Sequence, residues 1–379
     1  MQYDAPVTST EFLNSLQDNP SLSDTTLAAI SSLLNLSGDT ETQITVASLN
    51  ANGTVAAPFG SSPQVFAADV AGDAGDDVTF ATPASLNTVN TWILNSDANL
   101  SVTFGATEST APAAPAAADA DAVTAAAAAV SFERIVVTGN GDDTVTVSDN
   151  VSTYLDGGDG NNTLTTSAGN DTVVVNDGDN VISTGAGNDT IILGAGNNTV
   201  DGGSGFDVVR VTGTLEDYRV FVEHNHTLVL QNGTIGNEVS ALNIQLVETE
   251  NGNIAIASSQ TEATALRFYE AVLGRTADAE GAQYWTEQLA SNGGQLSNIA
   301  QGFVNSTEFQ SIGIDSSADY INALYQGALG RSAEAAGLEY WTQQLNEGVS
   351  QADVAVGIVG SYEAEGYAGS HVVIVQGQV

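Results

Sequence analysis

The sequence predicts a multidomain chain, a parallel β-solenoid followed by a small all-α C-terminal domain. Two observations carry this. From Gly157 to Arg210 the chain reads as six nonapeptides in unbroken register, GGDGNNTLT, TSAGNDTVV, VNDGDNVIS, TGAGNDTII, LGAGNNTVD and GGSGFDVVR. Further on, FYEAVLGRTADAEGAQYWTEQL (268–289) and LYQGALGRSAEAAGLEYWTQQL (324–345) match at 12 of 22 positions, offset by 56 residues. A nine-residue unit buries a core only by stacking on its neighbours. The duplicated segment carries the apolar spacing of helices.

Residues 1–44 are an N-terminal helical segment. Ser9 to Leu16 and Asp24 to Leu36 read as two short helices, with Asp24 as N-cap, Leu27, Ile30, Leu33 and Leu34 as the apolar face and Gly38 as the stop. Residues 45–137 are an irregular β region, an early stretch of solenoid. ITVASL (44–49), QVFAADV (64–70), DVTFAT (77–82) and LSVTF (100–104) are separated by Gly, Asn and Asp turns, and AGDAGDDVTF at 71–80 is a loose version of the later repeats. The Ala/Pro-rich stretch 110–129 reads as an exposed loop, with a helix open to 121–129 where proline is absent.

Residues 138–210 hold the repeats. The fourth position is always glycine, the sixth always Asn or Asp, and the eighth always aliphatic (Leu164, Val173, Ile182, Ile191, Val200, Val209). A short turn followed by a three-residue strand satisfies these rules: glycine permits the turn, the Asn/Asp oxygen faces inward on it, and the eighth residue enters a core. TGNGDDTVT at 138–146 keeps the pattern, whereas 147–155 has lost its glycines and is followed by one extra residue, Asp156. Each repeat buries about one aliphatic side chain, worth roughly 1.5–3 kcal/mol, while ordering nine residues costs about 1–2 kcal/mol apiece. Two carboxylates one strand spacing apart add a repulsion of about 3 kcal/mol at an effective dielectric near 20. A hard divalent cation that takes carboxylate and carbonyl oxygens relieves both problems, and calcium is the natural choice.

These repeats resemble the G-G-x-G-x-D-x-U-x nonapeptides of RTX proteins, whose fold is a calcium-bound parallel β-roll. The resemblance implies that two nonapeptides make one coil, so that repeats of the same parity stack on one edge. One edge would then carry Asp171, Asp189 and Asp207, and the other Asn162, Asn180 and Asn198. Ions are expected on the Asp edge, between 171 and 189 and between 189 and 207, with Asp143 as a further ligand in the preceding repeat. The Asn edge would bind weakly with help from Asp159, Asp177 and Asp179, or form an amide ladder without metal.

Residues 211–258 supply alternating strands that read as a β cap, and Asp217-Tyr218 is the D-Y pair common in caps of such rolls. A cap is required because an open solenoid end presents unpaired strand groups and an apolar core. His224 and His226 sit two apart, on one face of a strand, with no third ligand to make a zinc site.

Residues 259–365 are the tandem helical repeat. Leu266, Tyr269, Val272 and Leu273 form an apolar stripe, Gly274 stops the helix, Thr276 caps the next one, and Tyr284, Trp285 and Leu289 bury in it. The second copy repeats this with Tyr325, Leu329, Gly330, Ser332, Tyr340, Trp341 and Leu345. A third helix follows in each, near 296–305 and 351–360, the latter opened by Ser350 and Asp353 at capping spacing. The signature Leu-Gly-Arg followed by Asp278, Gly281, Tyr284 and Trp285, and again by Glu334, Gly337, Tyr340 and Trp341, resembles a helical domain of unknown function found in bacterial secreted and surface-layer-like proteins. Arg275 and Arg331 are expected to cap helix ends or pair with Asp278 and Glu334. Residues 366–379 end in HVVIVQGQV, readable equally as a terminal strand or as the end of a type I secretion signal.

Composition narrows the function. There are 46 acidic and 6 basic residues, no cysteine and a net charge of −40, which disfavours nucleic acid and anionic membranes as partners and excludes thiol chemistry. Residues 1–20 lack the basic start of a secretory signal, and no apolar run approaches a membrane span. H-E-x-x-H, G-x-S-x-G and Walker patterns are absent. The resemblance implies a secreted or cell-surface, non-enzymatic calcium protein, exported by type I secretion machinery. The expected role is self-assembly as a homo-oligomer, lattice or filament in a surface layer or matrix coat. The alternative is an adhesin that binds a cell-surface glycan.

Overall fold

The computed structural model describes residues 6–17, 19, 22–36, 42–49, 55–56, 62–82, 86, 89–105, 132–223, 226–234, 236–367 and 369–376. The Ala/Pro-rich stretch 110–129, His224 and residues 377–379 of the tail lie outside them. Among the described residues, two long sheets stack face to face as the walls of a solenoid. One holds twelve strands in the order Val372–Ile374, Asn253–Ala257, Leu246–Glu248, Val208–Arg210, Thr190–Leu193, Thr172–Val175, Thr153–Asp156, Arg134–Gly139, Thr91–Ser96, Val65–Asp69, Val46–Leu49 and Val55–Ala56. The other holds nine, from Tyr218–Val222 through Leu228–Asn232, Glu238–Leu242, Asn198–Asp201, Val181–Ser183, Thr163–Thr165, Thr144–Val147 and Asn99–Phe104 to Asp77–Ala81.

Successive repeats alternate between the two sheets. Thr172 therefore pairs with Thr190, and Thr163 with Val181, each 18 residues apart and parallel. The eighth-position residues meet between the sheets: Leu164, Val173, Ile182, Ile191, Val200 and Val209 are all buried in one core. That core continues without a break into the N-terminal β region through Trp92, Phe66, Phe80 and Phe104, whose rings pack at 5.2–5.6 Å.

The helices cover one wall. α1 (Ser9–Gln17) and α2 (Asp24–Leu33) lay Phe12, Leu16 and Ile30 on the outer face of the twelve-stranded sheet, against Val46, Val65, Ile93 and Ile135. Ser23, rather than Asp24, is the N-cap of α2: its hydroxyl accepts from the Thr26 amide at 3.1 Å, and Asp24 falls inside the first turn. The helix also stops at Leu33, three residues short of the expected end. Farther along the same face, α3 (Gln260–Phe268) packs on Val208, Leu246, Ala255 and Ala257. The nine-stranded sheet instead turns Thr144, Thr163 and Thr199 to solvent.

The rest of the helical domain comprises α4 (Ala279–Ser291), α5 (Leu296–Asn305), α6 (Thr307–Ile312), α7 (Ser317–Leu329), α8 (Ala335–Asn346), α9 (Gln351–Val359) and α10 (Tyr362–Glu365). Gly274 and Gly330 end their helices in the left-handed region, at φ 71 and 65. Asp278, not Thr276, caps α4 by accepting from Gly281, and the Thr276 hydroxyl accepts instead from the Asn253 amide. In the second copy Glu334, not Ser332, holds the cap position. Trp285 stacks on Phe303 at 4.8 Å, but Tyr284 is half-buried and Tyr340 is 52% exposed, so neither tyrosine belongs to the core. Arg275 pairs with Asp278 and, through two bonds of 2.6 and 3.0 Å, with Glu308; it lies over the Tyr269 ring. Arg331 repeats this with Glu334, Glu363 and Tyr325.

Val372–Ile374 adds a parallel strand beside Asn253–Ala257, fastened by Glu270, which accepts from the His371 amide and pairs with its ring at 2.7 Å. His226 does not lie on a strand face; it sits at φ 67 in the bend between Tyr218–Val222 and Leu228–Asn232.

The fourth-position glycines are enforced by stacking. At Gly187, with φ 138, a Cβ would lie 1.9 Å from the Gly169 carbonyl oxygen one coil away. Gly187→Ala is expected to cost about 3 kcal/mol or more in denaturant unfolding. Gly348→Ala, at a positive φ in open space, is expected to cost about 1 kcal/mol.

Candidate metal centre

The sixth position does the same task in every coil. Its Oδ1 accepts the backbone N–H of the residue one coil earlier. On one edge the Thr153 amide donates to Asp171 at 2.7 Å, that of Asp171 to Asp189 at 2.8 Å and that of Asp189 to Asp207 at 2.9 Å. Gln245 closes the column by accepting from the Asp207 amide at 2.6 Å. On the other edge the Asp143 amide donates to Asn162, Asn162 to Asn180 and Asn180 to Asn198, at 2.8–3.1 Å. All seven side chains are buried.

The second atom of each side chain separates the edges. Nδ2 of Asn162, Asn180 and Asn198 donates to the carbonyl of the fourth-position glycine in its own turn, Gly160, Gly178 and Gly196. Asn180 Nδ2 also reaches Asn198 Oδ1 at 2.9 Å. On the Asp edge a carboxylate oxygen takes the place of that nitrogen, and an ionised oxygen donates nothing. Oδ2 of Asp171, Asp189 and Asp207 is accordingly buried with no hydrogen-bond partner. Asp143, which heads the Asn column and takes the Leu100 amide on Oδ1, leaves its Oδ2 in the same condition.

Burial pushes these four carboxyls far above the usual range, to about 8 for Asp171, about 7 for Asp207 and about 6 for Asp189 and Asp143. Repulsion from Asp189 adds to the shift at Asp171 and Asp207. Asp159, Asp177 and Asp179 are exposed and stand apart from the buried columns. Asp179 accepts from the Asn197 amide at 2.7 Å and Asp177 from that of Ala195 at 3.1 Å, forming an outer ladder that points the opposite way along the stack.

Two further buried carboxylates stand nearby. Asp149 forms a bidentate pair with Arg134, at 2.7 and 2.5 Å. Asp156, the extra residue after the degenerate repeat, accepts from the Thr26 hydroxyl and the Gly158 amide, tying α2 to the solenoid. Arg134 was legible as one of only six basic residues; Asp149 carried no signal in the nonapeptide pattern.

Residues 152–182 and 174–209 match the family model of the RTX calcium-binding nonapeptide repeat (4 copies). The chain carries RTX calcium-binding repeats. Residues 260–313 and 300–367 match the model of a domain of unknown function (DUF4214), once for each helical copy. No curated protein matches the chain. RTX nonapeptides are calcium-binding motifs, and the orphaned carboxylate oxygens fit that ion: they are hard oxygen donors, buried and left without a hydrogen-bond partner. Among the described residues no group of three or more His, Asp or Glu side chains converges; along the Asp edge the buried carboxylates follow one another one coil apart, at Asp171, Asp189 and Asp207.

The pH dependence follows from the direction of the shifts. Each of these carboxyls holds its proton more tightly folded than unfolded, so the stability it confers is fully present below about pH 4. It is lost as pH rises through about 6 to about 8. In chelator, the thermal midpoint is expected to be higher at pH 5 than at pH 8. Asp189→Asn restores the missing donor: in chelator at pH 8 it is expected to be more stable than the parent by about 1–3 kcal/mol, and to take up less calcium by titration calorimetry.

Proposed function

We propose that the chain is a secreted, non-enzymatic structural protein that folds on meeting calcium and assembles with copies of itself at a cell surface. The observation that carries this reading is the column of buried, unpartnered oxygens on Asp171, Asp189 and Asp207. In calcium-poor cytosol the column opposes folding. At millimolar calcium outside the cell, the ion supplies the positive charge that the glycine-rich coils lack. Along the Asn edge, Asn162, Asn180 and Asn198 are closed by their own amides and Asp143 alone, at the head of the column, leaves an oxygen for an ion, so calcium enters chiefly along the Asp rim. Among the described residues no helix is long and apolar enough to cross a membrane, and the surplus of acidic groups keeps the chain soluble in salt.

A second reading, an adhesin for a cell-surface glycan, is favoured by a cleft of about 300 Å³ between the last RTX turn and α4. Phe206 offers an aromatic face there, with Gln245, Glu262, Gln283, Thr286 and Glu287 as polar groups around it. Light scattering during a calcium titration from chelator to millimolar separates the two. A steep, reversible rise to very large mass is expected of the structural protein, and compaction to a stable monomer of the adhesin. An unchanged signal would remove calcium from both readings.

A further inference from the structure

We infer that Arg134 is the resident cation of the Asp column: its guanidinium takes the place of an ion at the head of the stack, so that the coils there hold together without calcium and loading begins at Asp171. This rests on the calcium reading proposed above and marks the upper limit of the metal column.

Strand pairing puts Arg134 in the column. It stands opposite Thr153 where Arg134–Gly139 and Thr153–Asp156 run in parallel, and the Thr153 amide donates to Asp171. Continued through Asp189 and Asp207 to Gln245, the sixth-position column reads Arg, Thr, Asp, Asp, Asp, Gln. Alternation along the strand turns Arg134 to the same side as Val136, which is buried between the sheets. Its side chain enters that space: the guanidinium carbon lies 5.3 Å from the centre of the Phe104 ring, a member of the same core.

The chemistry changes down the column in step. Arg134 meets Asp149 through two bonds of 2.7 and 2.5 Å, with side chains only 11% and 1% exposed. The Thr153 hydroxyl donates to the Val151 carbonyl at 2.8 Å, the same bond two residues back that each asparagine of the other edge makes to its glycine. Arg134, Asp149 and Thr153 leave no buried side-chain atom without a partner, and the orphaned oxygens start at Asp171. Four successive turns on this edge thus bury one carboxylate each, Asp149, Asp171, Asp189 and Asp207, and only the first receives its cation from the chain itself. The later turns carry Ser167, Gly185 and Gly203 where the first has Asp149. The Ser167 hydroxyl donates to the Asp149 carbonyl at 2.5 Å, which fastens the arginine pair to the turn that holds Asp171. The charge is felt there: burial pushes the Asp171 carboxyl up to about 8, Asp189 adds to the rise, and Arg134 opposes it.

The test follows hydrogen exchange of backbone amides in the full chain, in chelator and in millimolar calcium, and counts bound calcium by titration calorimetry. In the parent, the amides of residues 134–139 and 153–156 are expected to stay protected in chelator, while those of 172–175 and 190–193 gain protection only with calcium. Arg134→Ser strips Asp149 of its partner. In chelator it is expected to lose that protection by about tenfold or more, to recover it in calcium, and to bind about one more ion per chain than the parent. Arg134→Lys keeps the charge and is expected to hold the parent count. Arg134→Ser combined with Asp149→Asn removes the carboxylate and is expected to lose the extra ion. A loss in Arg134→Ser that is equal in calcium and chelator, at the parent count, makes this an ion pair of purely structural role and overturns the inference. So does a parent whose 134–139 amides exchange in chelator as fast as those of 190–193, a result that needs no substitution. A parent that takes up no calcium overturns the calcium reading as well.

Discussion

Everything in the solenoid hangs on one hydrogen bond, repeated along each edge: the sixth-position side chain accepts the backbone N–H of the coil before it. From Thr144 to Arg210 the strands are three or four residues long and too short to set their own spacing. The side-chain column sets it for them, and an outer column of fifth-position groups runs the opposite way, so that neighbouring coils are fastened in both senses. The fourth-position glycine is a consequence, since coils drawn this close leave no room for a Cβ. Aspartate and asparagine satisfy the accepting half of this bond equally. They differ only in what the second atom then needs: the Asn amide finds a glycine carbonyl in its own turn, and the Asp Oδ2 is left without a partner.

The two helical parts address another constraint. The twelve-stranded wall is apolar on its outer face, where Val46, Val65, Ile93 and Ile135 meet α1 and α2 and where Ala255 and Ala257 meet α3. The nine-stranded wall presents mainly threonine and serine, with Val181 among them, and carries no helix on that face among the described residues. In the helical domain, each copy is held by an arginine that ties the start of its second helix to its last short helix and lies on a tyrosine ring.

The regular coils could be read from sequence because their chemistry repeats. Glycine, an inward amide or acid and an inward aliphatic each recur at nine, and parity separates Asp171, Asp189 and Asp207 from Asn162, Asn180 and Asn198. The strand Thr91–Ser96 escaped because it is buried on both faces: Trp92 enters the core between the sheets while Ile93 meets the N-terminal helices, so no apolar–polar alternation appears. Ser23 and Asp24 are both good caps, and only the backbone decides between them. Arg275 and Arg331 showed their near partners three residues on. Glu308 and Glu363 lie more than 30 residues away on helices too short to register as periodic. Position in the nonapeptide alone does not say which turn residues face out, and Asp159, Asp177 and Asp179 are exposed.

The arginines have a consequence outside the fold. The chain contains no lysine, and its six basic residues are all arginine. Arg134 and Arg267 are buried, and Arg210, Arg275 and Arg331 are bound to carboxylates on other parts of the fold. A protease that cuts after basic residues therefore finds in the folded protein almost nothing to grip. Reagents directed at lysine amines find no side chain at all. The same scarcity that makes the surface acidic leaves the folded chain poor in sites for hydrolases that recognise basic side chains.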